Sequence, residues 1–195
     1  MSDPPLPDND GQTPLSNDER EGLIPSYITL RAELNEAEHA NILEAEDWAF
    51  KSKRKVLSVD FLKKLHKRMF GRVWRWAGAF RTTGKNIGVD TYRIHTDLQG
   101  LINDCAYWIE HGTYQHDEIA ARFHHRLVYI HPYPNGNGRH ARLATDLLLR
   151  ALDRPRFSWG SKYLTDAGEA RTRYIEALRA ADSQDYAPLL AFVRS

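Results

Sequence analysis

The stretch HPYPNGNGRHAR, residues 131–142, joins two segments that both have helical periodicity. Apolar residues recur at helical spacing over residues 117–130 before it and over residues 139–152 after it. The stretch therefore predicts a helix, a glycine-rich turn and a second helix. Gly136 and Gly138 allow the backbone of that turn to adopt unusual dihedral angles and to come close to a ligand.

The turn leads into the start of a helix, where unpaired N–H groups and the positive end of the dipole favour an anion. Arg139 and Arg142 share one face there, although a positive side chain at a helix start opposes the dipole by about 0.3–1 kcal/mol. A bound polyphosphate would reverse that cost, because guanidinium groups bind phosphate bidentately. His131 lies beside the same anion and suits a general base near neutral pH. The alternative is an ordinary helix–loop–helix turn with solvated arginines.

Further helices are predicted outside this stretch. Residues 29–50 contain neither Gly nor Pro and predict a long helix, and Ser58 is expected to cap a helix that ends at Gly71. Residues 74–93 contain glycines and β-branched residues, which predict a short hairpin or an extended loop. The fold class is therefore mainly α with one small β element. Three more helices are predicted at residues 97–110, 166–181 and 186–193.

The composition is that of one ordinary globular domain. The 195 residues include 42% hydrophobic and 27% charged residues, with a net charge of +1. That balance disfavours nucleic acid as a partner, and the basic run at residues 51–55 is interpreted as a solvated connector. The single cysteine, Cys105, excludes an intramolecular disulfide. Neither a membrane span nor a secretory signal is found in the sequence, so no membrane partner and a cytoplasmic location are expected.

The stretch at residues 131–142 resembles the signature of the Fic domain, which is approximately HPFx[DE]GNGRxxR. Trp76-Ala77-Gly78, with Arg81 soon after, extends the likeness over residues 55–195. The sequence looks most similar to the small bacterial Fic proteins called mobile mystery protein B. The resemblance implies a mainly α, Fic-type helical bundle with a small β-hairpin flap. It also implies an N-terminal regulatory helix (21–55) and a Fic catalytic core (56–195). Residues 1–20 are rich in Pro, Asp, Asn and Ser, and this composition predicts a flexible tail.

Fic proteins typically transfer AMP from ATP to a Ser, Thr or Tyr hydroxyl of a target protein, so the resemblance implies this reaction. Residues 82–92 would form the flap that aligns the target segment by β-strand addition. A helix-turn-helix partner protein and a toxin–antitoxin role would also fit such a protein. The resemblance implies that His131 is the general base and that the backbone of Gly136, Asn137 and Gly138 binds the phosphates. It implies that the Asn137 side chain also contacts the α-phosphate. Arg139 would bind the β-phosphate, and Arg142 would bind the γ-phosphate.

Two residues depart from the signature. Tyr133 stands where Phe is usual and adds a hydroxyl group that needs a partner. Asn135 stands where an Asp or Glu usually ligates Mg²⁺, and Mg²⁺ prefers charged oxygen ligands. Asn135 therefore weakens the implied Mg²⁺ site. The alternative function is a catalytically impaired Fic domain that acts as a nucleotide- or protein-binding regulatory module.

Many Fic proteins share a second motif, [ST]xxxE[GN], whose glutamate pairs with the second arginine of the signature and blocks the γ-phosphate. Residues 29–33, TLRAE, match its first five positions, whereas Leu34 replaces the Gly or Asn. The resemblance therefore implies that Glu33 is an inhibitory residue acting on Arg142. Glu36 is the alternative if the register differs.

Overall fold

The computed structural model describes residues 17–163 and 167–195, and helices dominate it. This confirms the mainly α fold class predicted from the sequence. Of the predicted flexible tail, residues 1–16 lie outside the described residues, while residues 17–20 are helical. The helices are α1 (Asn17–Arg20), α2 (Arg31–Phe50), α3 (Val59–Phe70), α4 (Ile94–His111), α5 (His116–Ile130), α6 (Asn137–Ala151), α7 (Ala167–Asp182) and α8 (Ala187–Val193), with 3-10 turns at Thr91–Arg93 and Ser161–Tyr163.

Helices α5 and α6 pack on each other and take part in both apolar cores. The larger core joins them to α2, α3 and α4, and the smaller one joins them to α7 and α8. Removal of these apolar side chains from water is the main stabilising contribution to the fold. Because both helices are held in two cores, the short turn between them is fixed in place.

Two helix starts follow directly from local chemistry. The hydroxyl of Ser58 accepts a hydrogen bond from the N–H of Phe61 (3.4 Å), which confirms Ser58 as the cap of α3. At the start of α2, the Glu33 carboxylate accepts hydrogen bonds from the N–H groups of Thr29 (2.9 Å) and Leu30 (3.0 Å). These two bonds hold the pKa of Glu33 below its usual value. Glu33 is therefore a helix-capping residue in this structure.

The small β-hairpin predicted within residues 74–93 is absent from that segment. The buried guanidinium group of Arg81 donates hydrogen bonds to the carbonyl oxygens of Thr83 (3.0 Å) and Val89. It also donates to the carbonyl oxygen of His131 (2.7 Å). The segment is consequently an extended loop tied to the turn between α5 and α6. Its role as a target-binding flap stays a prediction.

None of the helices within residues 17–163 and 167–195 combines the length and the apolar character needed to cross a membrane. The cytoplasmic location stays a prediction.

Candidate active site

His131 follows α5 directly and has a left-handed backbone, with φ of 52°. That conformation costs a non-glycine residue about 1–2 kcal/mol, and the hydrogen bond from Arg81 to the His131 carbonyl helps to hold it. The imidazole ring is buried, and this burial together with the nearby charge of Arg81 lowers the pKa of His131 to about 4. The ring is therefore neutral at pH 7 and can accept a proton.

The turn after His131 is closed by side-chain hydrogen bonds. The Asn137 side chain accepts from the N–H of Tyr133 (2.9 Å) and donates to the Tyr133 carbonyl (2.8 Å). Gly136 has a φ of 79°, and a Cβ there would lie 2.6 Å from the Phe70 ring, so the turn requires glycine. The closed turn places Asn137 at the start of α6, where backbone N–H groups lack acceptors within the helix. The predicted contact of the Asn137 side chain with an α-phosphate stays a prediction.

His66, which the sequence analysis did not identify, supports this turn from α3. Its Nδ1 accepts from the backbone N–H of Gly78 (3.0 Å), so the ring proton is on Nε2, which donates to the Asn135 carbonyl (3.1 Å). Its ring also stacks on Tyr133, with the ring centroids 3.7 Å apart. Burial lowers the pKa of His66 well below its usual value, so the ring remains neutral. The available sequence signal was a histidine on the buried stripe of α3.

Arg139 is held by a buried glutamate that the sequence analysis also missed. Its guanidinium group lies 2.7 Å from a carboxylate oxygen of Glu38 and packs over the Phe70 ring. The other Glu38 oxygen accepts a hydrogen bond from Nε1 of Trp74 (2.7 Å). Glu38 is 5% exposed, so helix α2 brings a shielded carboxylate to the first signature arginine. The sequence signal for Glu38 was a charged residue on the buried stripe of α2, which is Leu34, Glu38, Asn41, Ala45 and Ala49.

Neither glutamate considered in the sequence analysis occupies this position. Glu33 hydrogen-bonds the backbone at the start of α2, and Glu36 is exposed. The pairing expected for Glu33 with Arg142 is therefore not formed. The structure instead pairs the first signature arginine, Arg139, with Glu38.

Arg142 contacts a different part of the molecule from Arg139. Its guanidinium carbon lies 4.7 Å from the ring centroid of Tyr174 on α7 and 5.6 Å from that of Trp159. The Tyr174 hydroxyl lies 2.8 Å from Nε2 of His124 on α5, which fixes the tyrosine ring. The two signature arginines thus extend from one helix start toward opposite neighbours, α2 and α7.

The residues around Asn135 do not fit a Mg²⁺ site. The Asn135 side-chain oxygen accepts a hydrogen bond from the N–H of Gly136 (2.6 Å), and it is an uncharged amide. Within the described part of the chain, no three His, Cys, Asp or Glu residues cluster as metal ligands. We therefore assign no step of the proposed reaction to a metal ion held by this turn.

Acid should destabilise this protein through four buried histidines. Burial lowers the pKa of His131 and His140 to about 4 and that of His124 to about 3, and His66 shifts in the same direction. An unfolded chain protonates these rings near pH 6.5, so their contribution to stability is complete above that pH and is lost as pH falls toward 4. Each ring contributes a slope of up to about 1.4 kcal/mol per pH unit. We expect the thermal midpoint to fall steeply below pH 6.5 in a denaturation series, and a constant midpoint from pH 7 to 4.5 would contradict this.

Replacing Tyr133 with phenylalanine should stabilise the protein. The Tyr133 ring is fully buried, and its hydroxyl has no hydrogen-bond partner among the described residues. Burial also raises the pKa of Tyr133, which keeps the hydroxyl protonated. Because an unsatisfied buried hydroxyl costs about 1–3 kcal/mol, Tyr133→Phe should raise the free energy of unfolding in urea by about that amount. A lower stability for Tyr133→Phe would show that the hydroxyl has a stabilising partner.

Comparison with known proteins relates the part of the chain around this site to a protein family. Residues 56–149 match the Fic/DOC family. The chain is 30% identical over 146 residues to the protein adenylyltransferase Fic of Nematostella vectensis, covering 72% of this chain and 32% of that protein. It is 29% identical over 141 residues to protein adenylyltransferase fic-1 of Caenorhabditis elegans, covering 70% and 26%. The chain thus spans a third or less of the length of these curated relatives.

Solved Fic-domain structures share the same fold. The Fic domain of a cell filamentation protein from Bartonella quintana superposes with a TM-score of 0.71 at 16% identity, covering 90% of this chain and 91% of that one. BepC of Bartonella tribocorum, solved with bound AMPPNP, superposes with a TM-score of 0.68 at 18% identity, covering 92% and 97%. Residues 56–149 of this chain therefore form a domain of the Fic/DOC family, and the helical fold around the turn between α5 and α6 is the fold of these solved Fic domains.

Proposed function

We propose that this protein transfers AMP from ATP to a hydroxyl group of a target protein. The observation that carries the proposal is the neutral His131 ring immediately before an anion-binding helix start that presents Arg139 and Arg142. A base, a phosphate-binding backbone and two cations at one turn are the groups that phosphoryl-type transfer needs. The similarity to curated protein adenylyltransferases supports AMP as the transferred group.

In the proposed reaction, the target hydroxyl oxygen forms a bond to the α-phosphorus of ATP. The bond between that phosphorus and the oxygen bridging to the β-phosphate breaks, and pyrophosphate leaves. His131 accepts the hydroxyl proton on a nitrogen of its neutral ring. The nearby negative charge of the triphosphate would raise the pKa of His131 from about 4, which strengthens it as a base.

The phosphates would bind at the start of α6. The backbone N–H groups of Asn137 and Gly138 would donate to the phosphate oxygens, because they have no acceptors inside the helix. Arg139 would bind the β-phosphate of the leaving pyrophosphate, and Arg142 the γ-phosphate. Reaching the γ-phosphate would require Arg142 to leave its position over Tyr174 or share it with the ligand.

We also propose that helix α2 restrains this reaction through Glu38. The ion pair with Glu38 occupies the guanidinium group that the β-phosphate would need. Glu38 is fixed on its other side by Trp74, so ATP must compete with a carboxylate that is already in place. The proposal assigns the regulatory role implied for residues 21–55 to Glu38 in place of Glu33.

A transfer assay with two labels tests the function. Wild type, Glu38→Ala and Glu38→Ala/His131→Ala are incubated with bacterial lysate and ATP labelled at either the α- or the γ-phosphate. Label from α-labelled ATP alone, strongest in Glu38→Ala and lost in the double variant, would support AMP transfer. Label from γ-labelled ATP would indicate phosphate transfer instead. ATP binding without transfer in any variant would favour the impaired, nucleotide-binding Fic domain, the candidate that Asn135 supports.

A further inference from the structure

A concentrated positive charge covers α3 and the chain on both sides of it. Residues 51–75 contain ten Lys and Arg residues and a single acidic residue, Asp60, in a chain whose net charge is +1. This segment therefore carries +9, and the rest of the chain carries −8. The near-zero net charge conceals a strong separation of charge along the chain.

These cations are accessible, and α3 and the chain on either side of it present them at the surface. Of the ten, Arg54 and Lys63 are half-buried and the others are exposed. Trp48 packs against cations from both the loop before α3 and the helix itself. The cationic groups of Arg54, Lys64 and Arg68 lie 4.5, 5.6 and 4.9 Å from the centroid of the Trp48 ring. We call this surface the basic face, made of Lys51, Lys53, Arg54, Lys55, Lys63, Lys64, Lys67, Arg68, Arg72 and Arg75.

Little of this charge is neutralised within the described part of the protein. Lys53 pairs with Asp153 (2.8 Å) and Arg72 with Glu44 (2.7 Å), and both pairs are exposed and thus easily exchanged for another anion. Lys55, Lys64 and Lys67 form no ion pair with any described residue. The basic face therefore presents several cations available to a partner with repeated negative charges.

The composition of the basic face distinguishes a nucleic acid from a protein partner. Six of its ten members are lysine, which is depleted at protein–protein interfaces. None of the exposed large hydrophobic side chains of the described residues falls in residues 51–75. Helix α3 has 12 residues and is about 18 Å long, a length that spans about five phosphates along one DNA strand.

We propose that the basic face binds the phosphodiester backbone of nucleic acid without sequence preference. This reverses the expectation drawn from net charge alone, because binding depends on the local field at one surface. The surface does not include His131, Arg139 or Arg142, so it does not depend on the proposed transfer reaction.

Fluorescence anisotropy with a labelled DNA duplex of about 20 base pairs tests the proposal. The wild-type protein should bind with a Kd of about 10⁻⁴–10⁻⁶ M near physiological salt, weakening steeply as salt rises. Lys55→Glu/Lys64→Glu/Lys67→Glu should bind at least about tenfold more weakly, with a log–log salt slope reduced by about 2–3. The matched control is Arg171→Glu/Arg173→Glu/Arg179→Glu, which makes the same charge change on the exposed side of α7 and should bind like the wild type.

Several results would overturn the proposal. The first is that the wild-type protein does not bind the duplex, and the second is that the α7 control variant loses as much affinity as the α3 variant. The third is that the wild-type protein binds polyglutamate or vesicles of anionic lipid more tightly than the duplex. Circular dichroism and thermal unfolding establish that each variant is folded. If the glutamate variant does not fold, the corresponding glutamine variant carries the test, with the same order of affinities expected.

Discussion

Replacing His131 with alanine is expected to lower the rate of AMP transfer by about 10²–10⁴-fold, the usual contribution of a general base. The neutral His131 ring supplies the proton acceptor in the proposed reaction, and Arg139 and the start of α6 would still bind ATP. The measurement is the rate of AMP incorporation from α-labelled ATP, together with the Kd for ATP in the same variant. A large loss of rate with nearly unchanged ATP affinity is the expected pair of results.

The unusual backbone at position 131 calls for a second variant. Alanine is strained at a φ of 52°, whereas asparagine tolerates this left-handed conformation better and still has no basic nitrogen. His131→Asn should therefore retain the fold and lose activity as His131→Ala does. His39→Ala, at an exposed histidine of α2, is the control and should keep the wild-type rate. Wild-type activity in His131→Asn would remove His131 from the role of base.

Replacing Glu38 with alanine should raise AMP transfer by about 10- to 100-fold. Release of Arg139 supplies one more donor to the phosphates, and a single donor to developing negative charge is commonly worth that much or more. The same change leaves Trp74 Nε1–H without its acceptor, so the free energy of unfolding should fall by about 1–3 kcal/mol. Transfer rates and urea denaturation of the same preparation measure the two effects.

Variants of Glu38 and Glu33 distinguish which of the two glutamates inhibits transfer. The structure favours Glu38, whereas the sequence resemblance implies Glu33. Glu33→Ala should leave the transfer rate unchanged, because the Glu33 carboxylate only caps α2. Glu38→Gln should keep the hydrogen bond to Trp74 and lose the charge, and therefore activate with less loss of stability. If Glu33→Ala raised the transfer rate and Glu38→Ala did not, Glu33 would be the inhibitory residue that the resemblance implies. Adding Arg139→Ala to Glu38→Ala should abolish the gain.

Local patterns predicted the helices well, because the forces that form them act over a few residues. Ser58 caps α3 as expected, and the glycine-rich stretch forms the turn that its spacing indicated. Of the two alternatives for residues 74–93, the structure has the extended loop, in which the buried Arg81 binds the carbonyl oxygens of Thr83 and Val89. Neither the burial of Arg81 nor its reach to the backbone of His131 is encoded in residues 74–93 alone.

The sequence predicted the proposed base and the two arginines of the candidate site, but it did not predict the residues that hold these arginines in place. The resemblance identified His131, Arg139 and Arg142 because they lie in one continuous motif. Glu38 and Tyr174 contact these arginines from helices 101 and 32 positions away in sequence, so only the packing of α2 and α7 brings them together. A charged residue on the buried stripe of α2 was the available clue to Glu38.

The aromatic rings that pack against Arg142 determine how much of the chain a functional version of this domain would need. Trp159 and Tyr174, which support Arg142, lie beyond residues 56–149, the part that matches the family. A chain cut at residue 149 would leave that guanidinium group in water and uncover the smaller apolar core where α5 and α6 meet α7 and α8. The unit that could be transplanted with its chemistry intact is therefore longer than the unit that homology delimits, and it includes α7 and α8.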